Sequence, residues 1–156
     1  MIKNYYFKGI SLIEILVIFA GLGLLVAIVM PQFYNIRKNQ VLKSAVGDVL
    51  STVNKARSRT LASMNSSTYG VHFQSDKVII FKGTVFSALD VNNETINIFS
   101  PASITNVTFG GVSDVVGDLY FNRIYGTPST TGTVTISTGS SSKILTINQS
   151  GNISSN

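Results

Sequence analysis

Apolar residues run almost without a break from Ile10 to Met30, then thin into a helical stripe, and end in short alternating stretches separated by turn residues. The first run is interrupted only by Ser11, Glu14, Gly21 and Gly23. As a helix its 21 residues reach ~30 Å, the thickness of a hydrocarbon core. Beyond Pro31 the apolar positions are Ile36, Leu42, Ala45, Val46, Val49, Leu50, Val53 and Ala56. From Leu42 onward they recur at i, i+3, i+4 and i+7, which is one face of a helix. The spacing predicts that this helix continues to about Ser63, ahead of the polar turn Asn65-Ser66-Ser67. Pro31 lacks an N–H and should kink or loosen it, and Gly21 and Gly23 lower helix propensity upstream. The stretch from Gly21 to Pro31 reads either as a region able to unwind on packing or as ordinary membrane-helix composition.

The remaining half predicts strands. Tyr69–Gln74, the turn Ser75-Asp76 and Lys77–Lys82 form a hairpin pattern. Further β-prone runs are Thr84–Leu89, Thr95–Phe99, Ile104–Phe109, Asp118–Ile124, Thr133–Ser137 and Lys143–Asn148, closing in Gly151-Asn152-Ile153. Asn92-Asn93, Gly110-Gly111, Gly126-Thr127-Pro128 and Gly139–Ser142 separate them. A helix followed by antiparallel strands predicts an α+β fold, with the amphipathic half of the helix packed on the sheet. The expected organisation is a leader at 1–9, a membrane-spanning helix at 10–30, an amphipathic helix at 31–64 and a β-rich head at 65–156.

Charge changes the picture only when divided. The net +5 is concentrated in residues 31–60, where Arg37, Lys38, Lys43, Lys55, Arg57 and Arg59 oppose Asp48 alone. Residues 61–156 sum to −1. Charged residues are 12% of the chain, and Ser, Thr, Asn and Gly dominate its second half, which suits an exported β-rich domain. The absence of cysteine excludes disulfides and cysteine-bearing metal sites. Lys3, Lys8 and the amino terminus favour a cytoplasmic N-terminus, whereas Arg37, Lys38 and Lys43 oppose it. The polar head decides for N-in.

Glu14 is the costly residue, since a carboxylate in a membrane segment is unfavourable by about 2.5–3.5 kcal/mol even on lenient scales. It calls for a partner, or for a position from which it snorkels to the membrane surface. The block Gly9-Ile10-Ser11-Leu12-Ile13-Glu14, with a basic leader before it and Pro31 after the apolar run, resembles the processing site of type IV pilins and type II secretion pseudopilins. The resemblance implies that a prepilin peptidase/methyltransferase cuts after Gly9 and methylates the new N-terminus at Ile10. The family usually has Phe there, so Ile10 is a departure. Glu14 is then the fifth mature residue. It would pair with the Ile10 amine within a subunit, or with a neighbour's amine in a filament, setting axial register. Lys55-Ala56-Arg57-Ser58 leading into strands, and the closing strand spacing, resemble the GspH/FimT-like minor pilin branch.

No catalytic constellation is apparent. His72 is the one histidine, inside a strand, and reads as structural; Asp76 and Asp114 read as turn formers. No cofactor, metal or enzymatic activity is expected. Asn-x-Ser/Thr triplets begin at Asn65, Asn93, Asn106, Asn148 and Asn152, as chance allows in so polar a tail. A DNA contact would need Arg123 and Lys143 to converge. The resemblance therefore implies a minor pilin or pseudopilin. Such a subunit lies in the cytoplasmic membrane before assembly. It then joins major and other minor pilins, through its N-terminal helix, in a surface or periplasmic filament or priming tip complex. The alternatives are a secretion pseudopilin, a DNA-uptake minor pilin, or an uncleaved single-pass sensor or enzyme.

Overall fold

The computed structural model describes residues 9–139 and 141–156. The expected leader, including Lys3 and Lys8, lies outside the described residues except for Gly9. Among the described residues, one helix, α1 (Leu12–Leu61), is followed by a 3-10 turn, Met64–Ser66, and nine strands. The strands are β1 (Tyr69–Phe73), β2 (Lys77–Lys82), β3 (Glu94–Asn97), β4 (Ser103–Phe109), β5 (Val112–Asp114), β6 (Gly117–Tyr120), β7 (Gly132–Ser137), β8 (Ser142–Ile147) and β9 (Ile153–Ser155). The fold is α+β, with the helix packed against two antiparallel sheets where one was expected.

The chain divides into two compact units, Met1–Arg37 and Lys38–Asn156. In the first, every described residue is exposed, and the helix is long and apolar enough to cross a membrane by length and composition. Pro31 stands inside α1 without ending it. A helix apolar on all sides whose described residues are all exposed is suited to lipid or to other helices.

The second unit holds the core. Its helical part buries Leu42, Ala45, Val49, Val53 and Ala56 of the predicted stripe and adds Thr52 and Thr60, while Val46 and Leu50 are half-buried and Ile36 is exposed. Threonine fits because its hydroxyl bonds back into the helix: Thr52 Oγ1 donates to the Asp48 carbonyl at 2.6 Å, and Thr60 Oγ1 to the Ala56 carbonyl at 3.0 Å. Thr60 Oγ1 also accepts the Tyr69 N–H at 2.9 Å, tying the helix end to β1. The sheets run β3-β2-β1-β6 and β5-β4-β7-β8-β9. Val71, Phe73, Ile80 and Leu119 of the first, and Ile104, Val134, Ile136 and Leu145 of the second, meet the helix stripe in one cluster.

Both faces of β1 are buried. The loop after β2 explains this and corrects one expectation: Thr84–Leu89 forms no strand. Gly83, at φ 104°, turns the chain out of β2. Phe86 then folds back, stacking on His72 at 3.8 Å between ring centres and meeting Phe81 edge-on. The loop's other apolar side chains, Val85, Leu89 and Val91, stay in solvent. Strand β6 stops at Tyr120, short of the expected Ile124, and β5 is an unexpected strand ending in the supposed turn former Asp114. Asp76 lies in the β1–β2 turn as expected. On the outer face of the second sheet, register aligns Ser113, Thr108, Thr133, Thr146 and Ser154 in one row across all five strands.

Candidate functional site

The candidate site is the start of α1. Gly9 and Ile10 precede the helix and are exposed. The Ser11 carbonyl accepts the N–H groups of Glu14 at 3.0 Å and Ile15 at 3.3 Å, so Glu14 sits in the first turn. A carboxylate there faces the positive end of the helix dipole. Glu14 is exposed, and among the described residues no cation pairs with it. In this uncut chain Ile10 lies outside the helix, so helical i, i+4 spacing to Glu14 is not in place.

A Cβ built on Gly9, Gly21 or Gly23 meets nothing within 4 Å among the described residues, and the same holds at Gly47 in the packed half of α1. The fold of the single chain therefore has no steric need of glycine at these positions, although each helical glycine costs about 1 kcal/mol relative to alanine. By contrast, a Cβ on Gly70 strikes the Phe81 ring and the Leu119 carbonyl, and one on Gly132 strikes the Thr108 backbone.

Residues of the basic segment have two fates. Lys55 and Arg59, one turn apart, both reach Glu94 at the start of β3, Arg59 at 2.6 Å. The hydrogen bond from Lys55, with Arg59 adding to it, holds the Glu94 carboxyl below its usual range although partial burial pulls the other way. Arg57 donates to two backbone carbonyls, Gly126 and Ser150, each at 2.9 Å. These three cations are thus spent on holding the head to the helix. Their sequence signal was the Lys-x-Arg-x-Arg spacing at the helix end, which reads equally as a solvated face. Arg37 and Lys43 are exposed and Lys38 half-buried.

His72 Nδ1 is hydrogen-bonded to Asp118 across the β1–β6 pair, while Nε2 is buried without a partner. The His72 ring is stacked on Phe86 while the Asp118 side chain is half exposed, and the sequence holds no second histidine. Arg123 lies in the loop after β6, bordering an open depression with Thr68, Asn122, Ile124 and Tyr125. Lys143 lies on β8 of the other sheet, so the structure does not place the two on one element. Among the described residues no cluster of three or more His, Cys, Asp or Glu side chains is arranged to hold a metal. No protein-family model, curated protein or solved structure matches the chain.

Proposed function

We propose that the chain is a minor pilin or pseudopilin, a structural subunit cut after Gly9 that assembles through the first half of α1. The observation that carries this reading is the pairing of opposites along one helix. Residues 12–37 are entirely exposed and almost wholly apolar, while residues 42–60 bury a stripe against two sheets. A helix built this way needs an environment for its first half that the described residues do not supply. A membrane meets that need first, and neighbouring copies of such helices meet it second. The glycines at positions 9, 21 and 23 are compatible with the reading, because among the described residues nothing packs against them. At Gly9 the requirement would be a peptidase's. At Gly21 and Gly23 it would be close approach of another helix.

Glu14 gains its partner from the cut, which creates an amine at Ile10. Within a filament the carboxylate of one subunit meets the amine of another. Loss of one member of a desolvated pair costs about 3–5 kcal/mol. The work is assembly, and no reaction is assigned to the chain.

The test is the intact mass of the protein recovered from its native membrane. Removal of Met1–Gly9, with or without one methyl group on Ile10, is expected. Retention of the full 156 residues would overturn the reading in favour of a plain anchor.

A further inference from the structure

Two loops at one end of the first sheet carry exposed apolar side chains that the core does not use. Leu89 and Val91, in the loop from β2 to β3, are 94% and 95% exposed, more than any other large apolar residue among those described. Between them lies Asp90, half-buried. The tip is fixed by its own hydrogen bonds. The Asp90 N–H bonds the Ser87 carbonyl at 3.3 Å and the Asn93 N–H bonds the Asp90 carbonyl at 3.2 Å. The Asn93 side-chain amide donates to the Ser87 carbonyl at 2.7 Å. Asp90 Oδ1 accepts the Asn92 N–H at 2.9 Å and the Asn92 side-chain amide at 2.7 Å. These bonds, with a smaller attraction from Lys82, hold the carboxyl below its usual range. Asp90 is therefore ionised at neutral pH, and among the described residues no cation lies within ion-pair distance of it.

The loop after β6 has the opposite charge. Arg123, Ile124 and Tyr125 are exposed, and with Thr68 and Asn122 they border an open depression. Arg123 is the one arginine of residues 61–156, and among the described residues it pairs with no acid. This loop is fixed too, because the Asn122 N–H bonds the Thr127 carbonyl and the Gly126 N–H bonds the Asn122 carbonyl, each at 2.9 Å. Register puts both loops at the same end of the sheet, since Tyr69 faces Lys82 at the end of β2 and Gly70 faces Tyr120 at the end of β6. The order β3-β2-β1-β6 sets them at opposite edges, ~14 Å apart across three strand spacings. A carboxylate between two apolar side chains thus has its complement in a guanidinium beside two others.

We propose that the Leu89-Asp90-Val91 tip of one copy seats in the Arg123-Ile124-Tyr125 depression of a second copy, with Asp90 facing Arg123. Two pre-ordered loops lose little conformational freedom on meeting. Residues 61–156 sum to −1, so one head repels another only weakly. Because the two surfaces are unlike, the contact is heterologous and passes from copy to copy. It goes beyond the proposed function and does not rest on removal of the leader.

The chain has no cysteine, so single introduced ones report the contact. Full-length Leu89→Cys and Tyr125→Cys chains would be reconstituted together in phosphatidylcholine vesicles and treated with a short bismaleimide. A mixed dimer is expected, with neither variant joining to itself. Val112→Cys, comparably exposed on the other sheet, should yield little with Tyr125→Cys. Adding Asp90→Arg to the first chain, or Arg123→Asp to the second, sets like charges opposite one another. Each should cut the mixed dimer about tenfold, and the two together should restore it. An equal yield with Val112→Cys overturns the proposal, since chance collision then explains the dimer. So does a Leu89→Cys dimer formed in preference to the mixed one, or a loss on one charge reversal that the other does not repair. A leader retained in the intact mass would remove the proposed function and leave this contact standing.

Discussion

Arg57 donates through Nε to the carbonyl of Gly126 at 2.9 Å, joining the last turns of the helix to the loop after β6. Its Nη2 reaches the Ser150 carbonyl at the same distance, so one planar cation closes the helix, the β6–β7 loop and the β8–β9 turn together. Lysine is a point charge on a flexible stem and cannot reproduce that fork. Arg57→Lys and Arg57→Ala should both lower the stability of the full chain in detergent, the alanine by about 2–3 kcal/mol, since a bond to a charged group is worth about 1.5–3 kcal/mol and the one to Ser150 is exposed and adds little. Urea unfolding measures the loss, and a lysine variant as stable as the parent would refute the fork.

Gly151 is the other half of that joint. Its φ is 76°, and a Cβ there would lie 2.7 Å from Arg57 Nε and crowd the Gly126 carbonyl. Gly151→Ala should therefore cost at least about 1 kcal/mol. Gly9→Ala, with open space around it, should leave the melting temperature unchanged. Under the proposed function the larger Gly9→Val would block removal of residues 1–9, visible as a retained leader by mass spectrometry.

Glu94 predicts a pH dependence. Its folded-state carboxyl is held below the usual range by Lys55 first and Arg59 second. The unfolded value lies near 4.3. The stabilisation is therefore complete above that pH and is lost as pH falls through the lowered folded value. More than a third of the Glu94 side chain is exposed, so solvent screening limits the effect to about 1 kcal/mol. Glu94→Gln should remove it and flatten the stability profile below about pH 4. An unchanged profile would show that the two cations contribute nothing.

The Glu14→Val variant separates folding from assembly. It removes an exposed carboxylate that has no partner among the described residues, so insertion and melting should match the parent. Under the proposed function, incorporation into filaments should fall sharply, by the equivalent of about 3–5 kcal/mol per subunit. Counting tagged subunits in sheared filaments against membrane-held protein checks it, and parental incorporation would sink the pairing.

His72 governs the loop from Gly83 to Asn93. Asp118→Ala would leave both ring nitrogens of a buried imidazole without partners, at a cost of about 1–3 kcal/mol. His72→Ala would also remove the surface on which Phe86 stacks. Limited proteolysis should then cut near the exposed Val85 and Leu89 first, and cleavage elsewhere would argue against the stack as the loop's anchor.

The helix stripe from Leu42 to Ala56 is legible in the sequence because burial on one side leaves a periodic trace. The hairpin of β1 and β2 is legible for the same reason, with Ser75-Asp76 marking its turn. Thr84–Leu89 misleads because Thr84, Val85 and Phe86 are β-favouring residue types, yet Phe86 is used instead to cover His72 and Phe81. Two sheets in place of one follow from long-range pairings that no local window contains, such as β4 with β7. The clamp of Arg57 is hidden for a similar reason, since its acceptors are backbone carbonyls, and any residue type supplies those. At the candidate site, the sequence pattern carries nearly everything: the structure adds that Glu14 is exposed in the first turn and that Gly9 is sterically free.

The row of Ser113, Thr108, Thr133, Thr146 and Ser154 has a consequence for how the head stays dissolved. Most soluble domains resist clumping through charge, which salt weakens. With residues 61–156 at −1, this one has little of it. A sheet face coated in hydroxyls holds water by hydrogen bonds, which ions do not screen. The hydration of that outer face should therefore be nearly the same in brine and in fresh water.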